Sequence, residues 1–105
     1  MTAAPHYAIV VPAWNEEAII GQTVGQLRTI AENLGRPYEL VVVDDASSDR
    51  TAEIATAAGA RVVRVEKRQI AAVRNAGARA TTAPWLVFCD ADTWIPETVL
   101  RHALL

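Results

Sequence analysis

Leu40-Val41-Val42-Val43, followed at once by Asp44-Asp45-Ala46-Ser47-Ser48-Asp49, is the stretch whose reading decides the fold. A strand with one wet face alternates apolar and polar residues. The segment Glu39 to Val43 is instead rich in β-branched residues and apolar from Leu40 on, as a strand covered on both faces of a parallel sheet should be. The same unit repeats outward in both directions. Upstream, Tyr7 to Ala13 is a short apolar run closed by Pro12, and Ile20, Val24, Leu27, Ala31 and Leu34 recur at helical spacing until Gly35 and Pro37 stop the pattern. Downstream, Ser48 or Asp49 can cap a second helix. Arg61 to Val65 reads as a third strand, and Ile70, Val73, Gly77 and Ala80 line one face of a third helix. Trp85 to Cys89 reads as a fourth strand, and Pro96 opens a helix at its first turn. The expectation is one continuous βα series of about four parallel strands with flanking helices, without repeats or linkers.

Composition narrows the function classes. The chain has 105 residues, is 51% hydrophobic and carries a net charge of −2, which suits one globular unit with a modest core. That balance lacks the basic footprint of a nucleic-acid binder. The single cysteine, Cys89, excludes an internal disulfide and a CxxC metal cluster, and reads as a small hydrophobe of the fourth strand. Met1-Thr2-Ala3-Ala4-Pro5-His6 has no basic segment leading into an apolar one, and no stretch reaches the roughly 20 apolar residues of a membrane span. A cytoplasmic place is expected, at the cytosolic face of a membrane in a longer form. His6 and His102 have no metal-ligand spacing and read as surface groups. Trp85 and Trp94 read as packing residues.

Parallel strands joined by right-handed crossovers put all their C-terminal ends on one edge, where ligands of such sheets bind. Four loops meet there: Pro12-Ala13-Trp14-Asn15-Glu16, Asp44 to Ser48, Glu66-Lys67-Arg68, and Asp90-Ala91-Asp92-Thr93. Asp90 and Asp92 are the most pointed pair. Two carboxylates this close repel unless a cation lies between them, and Mg²⁺ characteristically takes one or two protein carboxylates and completes its shell with substrate phosphates and water. Because Pro96 fixes the next helix start, neither aspartate is placed to cap it. Asn15, Glu16 and Glu17 equally suit an N-cap and first helical turn, and Asp44-Asp45 with Ser47-Ser48 suit turn chemistry. Lys67, Arg68 and Arg74 are candidate phosphate contacts or a solvated basic face.

Four segments in order carry a resemblance over nearly the whole chain. Ile9-Val10-Val11-Pro12-Ala13-Trp14-Asn15-Glu16-Glu17, Val41 to Thr51, Arg74-Asn75-Ala76-Gly77 and Asp90-Ala91-Asp92-Thr93 resemble the family 2 glycosyltransferases of Rossmann-like GT-A fold. The resemblance implies a UDP- or GDP-linked sugar as donor, Mg²⁺ or Mn²⁺ as cofactor, and inverting transfer to an acceptor the sequence does not identify. Position by position, Pro12, Trp14 and Glu16 match residues around the nucleotide, and Val43 and Asp45 match those touching the base. An ionised carboxylate is acceptor-only, so Asp45 suits a ring N–H. Asp90 would face the ribose or a metal-bound water, and Asp92 would ligate the metal. The resemblance implies that residues 1–105 are a single donor-binding half, with the catalytic base and acceptor pocket supplied by a later part, so that this chain alone is expected to be inactive and either to self-associate or to be marginally stable.

Two departures bear on the site. Trp14 stands where the family mostly has tyrosine or phenylalanine. A glycine common before the third helix is missing, the region reading Arg68-Gln69-Ile70, which leaves no residue there that adopts positive φ without cost. Other nucleotide-binding classes lack their signatures, since neither GxGxxG nor GxxxxGK[ST] occurs. A nucleotidyltransferase would place a glycine- and basic-rich loop after the first strand. The rival reading from another class is a non-catalytic nucleotide-sugar-binding or structural remnant.

Overall fold

Seven apolar residues in a row can be buried only if the strand they form has neighbours on both sides and helices on both faces, and Tyr7–Ala13 has all of these. A computed structural model of the chain describes residues 4–104; Met1-Thr2-Ala3, part of the segment read for a targeting signal, and Leu105 lie outside them. The elements run β1 (Tyr7–Ala13), α1 (Ile20–Leu34), β2 (Tyr38–Asp45), α2 (Thr51–Ala58), β3 (Arg61–Val65), α3 (Ile70–Arg79), β4 (Trp85–Phe88) and α4 (Glu97–Leu104). All strand pairs are parallel, in the order β3-β2-β1-β4. The chain moves outward from β1 to β3, then crosses back over the sheet through α3 to reach β4. The point where that direction reverses lies beside β1, and in open parallel sheets this is where ligands bind.

Alternation sorts the strand residues between two faces. Tyr7, Ile9, Val11 and Ala13 of β1 and Leu40 and Val42 of β2 pack with the α1 stripe, Ala55 and Leu100 in the larger core. Val10, Val41 and Val43 face α3 and pack with Val73. All five α1 stripe residues expected from the sequence are buried. Gly35 closes α1 at φ 73°, a conformation glycine adopts at little cost. The carbonyl of Pro96 accepts from Val99 N–H at 3.0 Å, so the proline stands at the α4 entry as expected. No helix among the described residues is long and apolar enough to cross a membrane.

Three sequence expectations need correction. β2 runs two residues past Val43, so Asp44 and Asp45 are ladder residues opposite Arg64 and Val65 rather than loop residues. Trp85 and Trp94 do not pack in the core: they are 60% and 70% exposed, Trp85 on the edge strand β4 and Trp94 in the loop between β4 and α4. Ile70, read as sharing one face of α3 with Val73, Gly77 and Ala80, differs from its partners in burial: it is exposed at the N-terminal end of that helix, while Val73 and Gly77 one and two turns on are buried.

Candidate functional site

A cleft of about 830 Å³ opens over the C-terminal ends of β1, β2 and β4 and is walled by the N-terminal half of α3. The chain reaches it from four loops. Pro12, Trp14 and Glu16 come from the first, Asp45 from the end of β2, Arg68 and Arg74 from the third loop and helix, and Asp90 and Asp92 from the fourth. Of the residues expected around a nucleotide, only Val43 is not at the cleft surface. It is fully buried beneath α3, where its Cγ2 lies against Gly77. Gln69, Ile70 and Val73 also line the cleft, which the sequence reading had not assigned. Their position just after the C-terminal end of β3 was the signal for them.

The first two loops are zipped together by hydrogen bonds. Asn15 N–H donates to Ser47 Oγ at 2.9 Å, and Ser48 N–H returns a bond to Asn15 Oδ1 at 2.9 Å. Glu16 N–H donates to Thr51 Oγ1 at 2.8 Å, Glu17 N–H to Asp49 Oδ2 at 3.2 Å, and Arg50 N–H to Glu17 Oε2 at 3.1 Å. The capping reading of Asn15, Glu16 and Glu17 is therefore corrected: α1 starts later, at Ile20, without a side-chain cap. Their polar groups find better partners across the edge than along their own chain. The N-cap of α2 is Arg50 and has no side-chain cap bond, so neither Ser48 nor Asp49 stands at the cap as expected; Asp49, one residue earlier, accepts from Thr51 N–H at 2.9 Å and from the Thr51 hydroxyl. Burial pushes the Asp49 carboxyl up, but the bonds from Thr51 and Glu17 outweigh it and leave the group below its ordinary value. The network holds Trp14, 62% exposed, and Glu16 at the mouth of the cleft.

Strand alternation gives the two β2 aspartates opposite fates. Asp44 points away from α3 and is fully buried, accepting from Ser47 N–H at 3.3 Å and lying 3.2 Å from Arg64 Nε. Asp45 points to the α3 side and faces the cleft. One of its carboxylate oxygens accepts from Lys67 N–H at 2.7 Å and the other from Arg68 N–H at 3.0 Å. Arg68 adopts φ 55°, so the left-handed turn that the missing glycine had put in question is made by an arginine held from β2. The Asp44 pair gives a first prediction. Arg64→Met should lower the unfolding free energy by about 1–3 kcal/mol, less than loss of a fully buried pair because Arg64 is itself largely exposed. Unchanged urea unfolding would show that Asp44 needs no cation.

The fourth loop presents its carboxylates unequally. Asp90 lies 3.3 Å from the Arg74 guanidinium, while Asp92 makes no ion pair among the described residues. Thr23 Oγ1 donates to the carbonyl of Ala91 at 2.6 Å and fixes the tripeptide on α1. Burial, then the Asp92 carboxylate and then that of Asp49 push the Glu16 carboxyl above its usual value, so negative charge accumulates on this side of the cleft. Among the described residues no three His, Cys, Asp or Glu side chains converge as a closed cation cage. A donor set of one or two exposed carboxylates fits a hard divalent ion that takes its other ligands from phosphate and water. Cys89 beneath the loop is buried, and that burial, with Asp90 and Asp92 adding to it, pushes its thiol up, which fits an inert core residue.

The sequence and the fold were compared with known proteins. A sequence model described as glycosyl transferase family 2 matches residues 8–104. Validoxylamine A glucosyltransferase of Streptomyces hygroscopicus subsp. limoneus is 33% identical over an alignment taking in 94% of this chain and 24% of that protein. Undecaprenyl-phosphate 4-deoxy-4-formamido-L-arabinose transferase of Pseudomonas paraeruginosa is 41% identical over 51% of this chain and 16% of its own length. The solved mannosyltransferase PcManGT from Pyrobaculum calidifontis, in complex with GDP-Man and Mn²⁺, superposes with a TM-score of 0.76 at 27% identity, covering 97% of this chain and 32% of that one. Glucosyl-3-phosphoglycerate synthase from Mycobacterium tuberculosis, in complex with Mn²⁺, UDP and glucosyl-3-phosphoglycerate, superposes with a TM-score of 0.71 at 30% identity, covering 88% of this chain and 35% of that one. The chain thus spans a quarter or less of the curated relatives named here. With the family pattern running through both β-sheet halves and all four edge loops, and with the GT-A arrangement in its strand order, the chain belongs to the family 2 glycosyltransferases.

Proposed function

We propose that residues 1–105 form a single donor-binding unit that holds a UDP- or GDP-linked sugar in the C-terminal cleft for inverting transfer, with Mg²⁺ or Mn²⁺ on Asp92 and Asp90. The observation that carries this reading is the division of labour among the acidic residues. Asp44 is buried and paired, Asp90 is paired with Arg74, and Asp45 and Asp92 are turned to one open cleft. Asp45 suits the ring N–H of a uracil or guanine. Trp14 offers a flat apolar face at the cleft mouth, and Pro12 packs the floor beside it. Arg68 and Arg74 are the cations that a diphosphate would meet. Asp92 is the principal ligand for the divalent ion, with Asp90 toward the ribose or a metal-bound water. When bound, that ion supplies Lewis-acid neutralisation of charge on the departing diphosphate. No residue of this cleft is assigned the catalytic base, so donor binding without turnover is expected of the chain alone.

The test is calorimetric titration of the folded chain with UDP and with GDP, each with Mn²⁺ and with EDTA. Metal-dependent binding of one nucleotide is expected and would name the base; failure of both to bind would overturn the reading. The proposed place is the cytoplasm, or the cytosolic face of a membrane, the latter supported by the undecaprenyl-phosphate in a relative's name.

The exposed edge of β4 supports a further expectation. Trp85 and Phe88, 60% and 42% exposed, stand on a strand with unpaired backbone groups, so the chain alone should self-associate. Sedimentation should show mass rising with concentration, and Trp85→Lys with Phe88→Lys should suppress it. A clean monomer with a concentration-independent melt would count against this.

A further inference from the structure

The β3–α3 turn is a part of the cleft wall whose shape no local sequence preference explains. Arg68 sits at φ 55°, and Gln69 after it is extended at φ −148° before α3 begins. A side chain with a Cβ carries an energetic penalty in the left-handed region, and arginine, unlike asparagine, has no short polar group to offset it locally. Compensation comes from across the sheet. The two oxygens of Asp45 accept the consecutive N–H groups of Lys67 and Arg68 at 2.7 and 3.0 Å, a charge-assisted pair that pins the backbone immediately ahead of the left-handed Arg68, so that the chain must turn there to enter α3. The turn in turn delivers Arg68 to the cleft.

We propose that Asp45 is a positioning residue for this wall: besides any contact with a base, it sets the β3–α3 turn and thereby places Arg68 in the cleft. The functional half of this statement rests on the nucleotide reading above; the turn-holding half does not. Asp45 has acceptor capacity left after the two amide bonds, since an ionised carboxylate offers about four lone-pair sites. A ring N–H would therefore bind to a carboxylate whose orientation the turn already fixes, and loop order and base binding would be coupled.

The test compares Asp45→Asn, Arg68→Gly and the double variant in the full chain. Glycine takes the left-handed turn without help, so it should relieve dependence on the carboxylate. In Asp45→Asn the Lys67 and Arg68 amides should exchange with solvent at least about 10-fold faster, with α1 amides unchanged. The affinity for UDP or GDP lost on Asp45→Asn should be several-fold smaller in the Arg68→Gly background than in the native one. A role by contact alone would leave that loss equal in both backgrounds and would overturn the positioning proposal, as would unchanged amide exchange. If the amides lose protection, and Asp45→Asn lowers the melting temperature less in the Arg68→Gly background, while no nucleotide binds any form, the turn-holding role stands and the nucleotide reading falls.

Discussion

Gly77→Ala is expected to lower the unfolding free energy by about 2 kcal/mol, although alanine is the better helix former by about 1 kcal/mol. A Cβ at position 77 would lie 2.3 Å from Val10 Cγ1 and 2.8 Å from Val43 Cγ2. Both valines are fully buried on β1 and β2 and are stiff at χ1, so neither can turn aside cheaply. The helix must lift, and lifting α3 loosens the smaller core and moves the cleft wall that starts at Ile70. Gly25 provides the control. It lies inside α1 with nothing within 4 Å of its would-be Cβ, so Gly25→Ala should stabilise by about 0.5–1 kcal/mol. Chemical denaturation of the two variants side by side checks the pair. A Gly77→Ala protein as stable as Gly25→Ala would mean that α3 does not sit as closely on the sheet as described.

The same pair shows why some of this fold was legible and some was not. The continuous apolar run of β2 and the α1 stripe are local patterns with a single global solution; the α1 stripe matches the observed helix, and the β2 run falls inside the observed strand but stops short of it. Gly77 is legible as one member of a helix-face stripe, but its burial and its tight contact with two strands are tertiary. The edge loops were legible as a cluster because the C-terminal-edge rule depends only on the order of elements. The fates of individual acids were not. Asp44 and Asp45 part ways because β2 continues two residues beyond its apolar run, and alternation then sends one carboxylate to Arg64 and the other to the cleft. Asn15 has the sequence context of a cap, yet its side chain pairs with Ser48, 33 residues away. Arg68 has no local reason to be left-handed, and its partner is 23 residues upstream. Trp85 and Trp94 have core-like composition, yet both are exposed, because Trp85 falls on an edge strand and Trp94 in a loop, positions that composition does not reveal.

Asp92→Asn should abolish metal-dependent nucleotide binding while leaving the fold intact. The substitution keeps size and one acceptor oxygen and removes the charge. Loss of a mere outer partner of a metal ligand typically costs about 10–100-fold in metal affinity, and loss of the ligand itself should cost at least as much. Asp92 is exposed and makes no ion pair among the described residues, so stability has little reason to fall. Asp45→Ala should behave differently, weakening nucleotide binding with Mn²⁺ and with EDTA alike, because its proposed partners are the base and the β3–α3 turn. Asp90→Asn should fall between them, since it also releases Arg74. A readout independent of nucleotide is available at Glu16. Burial is the main reason its carboxyl lies above the usual range, but the Asp92 charge adds to it, so Asp92→Asn should move the Glu16 titration toward lower pH. A carboxylate facing less negative charge ionises more readily, which fixes the sign. Calorimetry of the three variants with Mn²⁺ and with EDTA, and a side-chain NMR titration of Glu16, would check both. If Asp92→Asn retains the native metal dependence while the Glu16 titration shifts as expected, the carboxylate is where the fold puts it, and the metal must be held by other groups.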